Sequence, residues 1–317
     1  MIQSLKTARK IYTKIFRLPE PFLPKKISDP EEVASIIYGN LLADKPLMIG
    51  RFGSTEMNCL VNYLGTISPE QSIIKYITGN QSEWWWQPQV INQMQNWSGF
   101  FPTTIEKVNQ FGKLMLQDLP LVDILASWLS QERLFENEMK HAIKIDFELL
   151  NPYFSKIPWT MALEGKKVLV VHPFSHTIER QYKKRTLLFE NEVLPSFHLK
   201  VIKAVQTLGG QPTQFADWFE ALDYMKAAID QEDYDICLIG AGAYGFPLAA
   251  HVKRRGKKAV HMGGSLQLLF GIRGKRWEDP NYNPNYNYFK LINEHWVKPA
   301  DEEKPLNADK VEDACYW

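Results

Sequence analysis

Cysteine, long apolar runs and net charge are all scarce in this chain of 317 residues. The three cysteines, Cys59, Cys237 and Cys315, are odd in number and far apart. Neither a disulfide framework nor a zinc-ligand spacing can be drawn from them, so a reducing, cytoplasmic setting is expected. No apolar run approaches the roughly 18 residues of a membrane-spanning helix, and the first residues lack the apolar core of a secretory signal. The formal net charge is +1. The molecule as a whole is therefore no polyanion binder, and nucleic acid is not expected as a partner; affinity for phosphates has to come from local clusters. Repeats and low-complexity tracts are absent too. What is present is core-forming material: hydrophobic residues make up 45% of the chain, enough for one large α/β domain or two small ones.

The chain is organised around residues 234–277. Ile236, Leu238 and Ile239 form a short apolar run suited to a strand buried on both faces. Gly240, Gly242 and Gly245 follow as GAGAYG, spaced like the dinucleotide fingerprint and lying between a strand and a helix. Pro247 sits near the helix start; Lys253, Arg254 and Arg255 load its last turn and Gly256 ends it. Ala259 and Val260 begin the return strand. A nicotinamide cofactor would need a carboxylate at that strand's end, but His261-Met262-Gly263-Gly264 stands there, so a nucleotide held differently is expected. A plain tight corner is the alternative reading of the glycines. Beyond them Arg273, Lys275 and Arg276 form a basic cluster able to meet phosphate oxygens, or a solvated loop.

Earlier in the chain, Ile2, Leu5, Ile11, Ile15 and Phe16 interleave with Lys6, Arg9, Lys10, Lys14 and Arg17. Residues 1–28 thus read as a basic amphipathic segment, packed on its own domain or resting through residues 1–19 on the inner face of an anionic membrane. Asp29-Pro30-Glu31-Glu32 starts a helix that runs to about Leu42. Leu47-Met48-Ile49 is a buried strand leading into Arg51-Phe52-Gly53-Ser54-Thr55-Glu56. That polar cluster either lines a ligand crevice or merely caps the next helix, with Ser54 or Thr55 as cap. Trp84-Trp85-Trp86 cannot all face one core, so at least one covers a groove or a partner surface. Thr103 to Glu106 reads as a capping box, Val122 to Trp128 as a strand and about Gln131 to Leu150 as a helix. Lys167 to Pro173 is a further strand, with His172 and His176 at its tip. A strand through Leu199 and Val201 and an amphipathic helix from Trp218 to Asp230 complete the pattern. The tail from residue 278 ends in Cys315-Tyr316-Trp317, an aromatic terminus that suggests docking.

LMIGRFGSTE at residues 47–56 resembles the R-F-G-D-G-E segment of bacterial glycosyltransferases of the GT-D fold. CLIGAGAYGFPLAAHVKRRGKKAVHMGG resembles that family's second signature. HPFSHTIERQY, GGSLQLLFGIRGKRW and the closing CYW resemble a branch associated with surface polysaccharides. The resemblance covers most of residues 30–317. It implies a Rossmann-like, mostly parallel sheet with helices on both faces over residues 29–277, with 278–317 docked on it. It also implies a nucleotide-diphospho-sugar donor, UDP-linked, a glycan or lipid-linked glycan acceptor, and a divalent cation, Mn or Mg, on an Asp-x-Glu pair. Ser54 stands where the Asp is expected, leaving Glu56 as the one carboxylate for metal.

The expected activity is glycosyl transfer in surface-polysaccharide synthesis. Substrate contacts are expected from Arg51, Gly53, Ser54, Thr177, Gln181, Gly240, Gly242, Ala243, Tyr244, Gly263, Gly264, Arg273, Lys275 and Arg276. Glu56 or His172 would serve as general base. The alternative is a catalytically inactive partner that binds a nucleotide or glycan.

Overall fold

A computed structural model describes residues 2–16, 23–305, 308 and 315–317. Arg17 and the rest of residues 17–22, like 309–314 of the tail, lie outside the described residues. Seven strands make one sheet: β1 (Leu47–Gly50), β2 (Ile124–Ser127), β3 (Ile143–Asp146), β4 (Lys167–His172), β5 (His198–Lys203), β6 (Ile236–Ile239) and β7 (Lys258–His261). Their order is β3-β2-β1-β7-β6-β4-β5, and every pairing is parallel. Parallel neighbours need crossovers, which here are mainly helical. The helices of five residues or more are α1 (Ile2–Phe16), α2 (Pro30–Leu42), α3 (Ser54–Ile67), α4 (Ile73–Ile77), α5 (Pro88–Asn96), α6 (Ile105–Asp118), α7 (Ser175–Tyr182), α8 (Trp218–Asp230) and α9 (Gly245–Arg254). The architecture is α/β and Rossmann-like.

The period of two along each strand divides the core in half. Leu47, Ile49, Val168, Val170, Ile236 and Leu238 face one layer, with α2 and the tail residues Tyr288, Trp296 and Trp317. Met48, Leu169, Val171, Cys237 and Ile239 face the other, against α3, α6, α8 and α9. Central strands are buried on both sides, which is why they read as unbroken apolar runs.

Local chemistry sets several boundaries. Asp29 accepts a hydrogen bond from the Glu32 amide at 2.8 Å, with Pro30 at the first helical position; such a cap contributes about 1 kcal/mol. At α6 the cap is Thr104, which accepts from Lys107 N. Glu106 then falls one position short of the reciprocal bond, so the capping box expected from Thr103 does not form. Gly53, with extended backbone and no side-chain cap, precedes α3; Ser54 and Thr55 are its first helical residues, and neither is the cap.

The largest departure lies between Gln131 and Leu150. In place of one helix the chain makes a 3-10 turn at Ser130–Phe135, the strand β3 and a second 3-10 turn at Phe147–Leu150. Glu132 folds back to accept from the Trp128 and Leu129 amides, both at 3.1 Å, and from the Ser127 hydroxyl. β3 pairs with β2 over four residues, and Ile27 covers its outer edge through bonds to Lys144 O and from Asp146 N. Pairing and edge protection outweigh the helix preference of Leu, Glu, Lys and Met in that stretch.

Candidate functional site

A cleft of about 580 Å³ opens at the carboxyl ends of β1, β2, β3, β6 and β7, where open parallel sheets bind their ligands. Much of its wall is the first few residues after a strand. The loop after β1 brings Arg51, Gly53, Ser54 and Glu56, and the loop after β6 brings Gly242 and Ala243. Gly263 and Gly264 follow β7, and Arg276 closes that side from the short helix Lys275–Glu278.

Arg51 sits at the centre of this arrangement. Its Nε and Nη2 donate to the Phe52 carbonyl at 3.2 and 2.9 Å, curling the side chain back over its own strand end. The guanidinium lies 4.8 Å from the Phe147 ring centroid and 5.7 Å from that of Trp128. Nη1 occupies space that only a glycine at 263 leaves open: a Cβ there would come within 2.9 Å, and the φ of +65° already favours glycine. Burial lowers the Arg51 pKa, and nearby Arg276 adds to the shift, while Glu56 and two tyrosines oppose it. A guanidinium nevertheless stays charged at neutral pH. Among the described residues no carboxylate pairs with it.

Neither α3, after Gly53, nor α9, after Tyr244, has a side-chain cap bond. At α3 this leaves first-turn amides and a positive dipole end beside Arg51, the chemistry of an anion site, whereas α9 continues a 3-10 turn in which the Tyr244 and Gly245 amides already donate to Ala241 O and Gly242 O. Glu56, the third residue of α3, folds its carboxylate over Gly53, where a Cβ would collide with it. Its Oε1 accepts from the Ser98 hydroxyl at 2.6 Å; Oε2 has no hydrogen-bond partner among the described residues.

The opposite wall was not anticipated from sequence. Trp128 follows β2; Asp146 ends β3, and Phe147 and Glu148 follow it. Asp146 pairs with Lys26 at 2.9 Å and accepts from the Glu148 amide. Glu148 accepts from Asn283 at 2.8 Å and from the Tyr288 hydroxyl; burial raises its pKa, and those bonds oppose the rise. Asn283, Asn285, Tyr282, Tyr286 and Tyr316 complete the rim from the tail. The alternation Ile143-Lys144-Ile145-Asp146 was the signal for β3, and with it the carboxylates at its end. His261, seen in the sequence only as a missing carboxylate, also borders the cleft. Its Nδ1 lies 3.3 Å from the Ile239 carbonyl, and burial, then Arg51, push its pKa down to about 3.

Several residues expected at the site stand elsewhere. His172 is buried behind Gly240, its Nδ1 accepting from the Phe174 amide at 3.0 Å, and burial lowers its pKa to about 3. It does not border the cleft, and at neutral pH it is the uncharged imidazole. Gly240 packs against that ring and is likewise interior. Thr177 hydrogen-bonds Glu303, and Gln181 donates to Gly271 O and His295 O; both anchor the tail. Tyr244 stacks on Trp218 at 4.7 Å and shares a bond with Thr207. Of the basic cluster, Arg276 alone borders the cleft. Arg273 pairs with Glu278, and the Lys275 amide donates to Trp317 O at 3.4 Å.

The carboxylates do not suit a divalent cation. Glu56 stands without a second acid on its turn, and Asp146 and Glu148 already hold Lys26, Asn283 and Tyr288. Among the described residues no three His, Cys, Asp or Glu side chains converge as a metal centre. No family model, curated protein or solved structure matches the chain.

Proposed function

We propose that the cleft binds a nucleotide-diphospho-sugar, UDP-linked, and that the protein transfers the sugar to a glycan acceptor in surface-polysaccharide synthesis. The observation that carries the reading is Arg51: a half-buried guanidinium facing the cleft with no carboxylate in ion-pair contact among the described residues, beside Arg276 and the uncapped start of α3. Glu56 and Glu148 act on that charge without pairing with it, and a diphosphate supplies an anion in direct contact, in the bidentate geometry a guanidinium matches. The resemblance of residues 47–56 and 237–264 to GT-D glycosyltransferases supports the same substrate class.

In the transfer step the bond from the sugar's anomeric carbon to the diphosphate oxygen breaks, and a bond to an acceptor hydroxyl oxygen forms. The two arginines and the helix amides stabilise the charge that grows on the leaving diphosphate. The hydroxyl's proton goes to Glu56, whose Oε2 faces no competing donor. Trp128, Asn283 and Asn285 offer an aromatic face and amides to sugar hydroxyls. No step is routed through a cation, because Glu56 has no second acid beside it to share one.

The missing Asp at Ser54 favours a second reading, a nucleotide-binding partner without turnover. Calorimetric titration with UDP, followed by a nucleotide-sugar hydrolysis and transfer screen with and without Mn²⁺, separates the two. UDP binding with sugar release supports the transferase; binding without turnover supports the partner. Failure of every nucleoside diphosphate to bind at millimolar concentration rejects both.

A further inference from the structure

Away from the cleft, α1 has an unusual status for a 15-residue helix: none of its residues is buried. Helices of that length are marginal in water and depend on packing of an apolar face. Here the packing is slight. Arg9 reaches the Gln81 carbonyl at 3.3 Å, pairs with Glu83 and lies 4.7 Å over the Tyr76 ring, holding α1 to α4. Ile11 and Ile15 remain 54% and 66% exposed, and on α4 Ile74 is 75% exposed. So large an aliphatic exposure on two touching helices marks a surface that has a partner.

The same surface continues into tryptophan. Tyr76 meets the Trp84 and Trp85 rings edge-on at 5.6 and 5.2 Å. Trp84, Trp85 and Trp86 line a shallow groove with Ile67 and Ile105 at its margins. Charge identifies the partner. Between Ile2 and Phe16 there are four cations, Lys6, Arg9, Lys10 and Lys14, and no acid. The neighbouring acids are paired, Glu83 with Arg9 and Glu70 with Lys75. A lysine-rich polar face beside aliphatic residues, with indoles alongside, is the composition of an element lying in the headgroup region of an anionic bilayer.

We propose that α1, α4 and the tryptophan groove form a docking surface for an anionic lipid bilayer. Ile11, Ile15 and Ile74 enter the interface, and Lys10 and Lys14 meet lipid phosphates. This does not rest on the reading of the cleft and survives if that reading fails.

The test is co-sedimentation of the full chain with vesicles of phosphatidylcholine containing about one-third phosphatidylglycerol, alongside pure phosphatidylcholine vesicles and sedimentation velocity without lipid. The expected result is binding to the anionic vesicles alone. It should weaken at least tenfold in Lys10→Glu/Lys14→Glu and in Ile11→Asp/Ile15→Asp, and at about 0.5 M salt, where screening is short-ranged. These exposed substitutions should leave UDP binding and thermal stability unchanged. No binding to anionic vesicles, equal binding to neutral ones, or unaltered binding by both variants overturns the proposal. A self-associated species that the isoleucine variant dissolves, with no vesicle binding, also overturns it and assigns the surface to a second copy.

Discussion

Arg51 concentrates the chemistry of the cleft in one side chain, and its replacement is the sharpest test at the residue scale. Arg51→Ala should weaken UDP binding about a hundredfold, near 2.7 kcal/mol, measured by titration calorimetry. Arg51→Lys should recover little, because an ammonium cannot span the Phe52 carbonyl and a phosphate at once as the planar fork does. Glu56 is tested by Glu56→Gln together with Gly53→Ala, since an added Cβ must push the carboxylate aside. Both variants should lower kcat for sugar transfer by about a hundredfold or more and leave the melting temperature little changed. His172 separates structure from chemistry. Its folded pKa of about 3 lies below the usual value of 6.5, so under pH 6.5 the unfolded chain binds a proton that the native state does not. Its contribution is therefore constant above that pH, and stability falls as pH drops toward 3. In His172→Gln the pH dependence of unfolding free energy, from urea titrations between about pH 6 and pH 4, should be shallower by roughly 1.4 kcal/mol per pH unit.

Between elements, α6 and α9 are joined where Arg254 meets the fully buried Asp118. Burial raises the Asp118 pKa to about 6, and Arg254 opposes the rise. Arg254→Ala strands the carboxylate and should cost about 2 kcal/mol, discounted because the arginine is itself partly exposed. Asp118→Leu should cost less, since an apolar side chain carries no desolvation penalty there; chemical denaturation of the two variants and their double mutant checks the order. At this scale the sequence was legible wherever a single period held. Trp218 to Asp230 coincides with α8 to the residue, and the strand expected from Lys167 to Pro173 matches β4 but for its last residue, because the apolar positions there match one face of a helix or both faces of a strand. Gln131 to Leu150 was not. Four residues of edge strand between two 3-10 turns leave too few alternations to stand against strong helix formers, and pairing with β2 decides the outcome.

Across the whole molecule the seven-strand sheet sets a gradient of stability. Backbone amides of β1, β4, β6 and β7, interior to the sheet and sealed by two core layers, should exchange hydrogen only through global unfolding. Those of α1, with no buried residue, should exchange orders of magnitude faster in water. Hydrogen exchange followed by mass spectrometry reads both, and slow exchange throughout α1 would contradict the open surface described for it. The sequence by itself determined the α/β class, the strand–turn–helix units at Leu47 to Glu56 and Ile236 to Arg254, and the polar or glycine-rich character of the loops that follow strands. Those are local matters of period, cap and turn. Tertiary structure alone decided which loops share a rim. Arg51, Gly242, Gly263 and Arg276 meet because β1, β7 and β6 are neighbours in the sheet; Trp128, Glu148 and Asn283 join them through an edge strand and a returning tail. His172, Thr177 and Gln181 fall outside, because β4 and α7 point theirs into the core and toward that tail. Strand order and side-chain direction are set by which apolar faces bury each other over long separations, and no window of neighbouring residues carries that information.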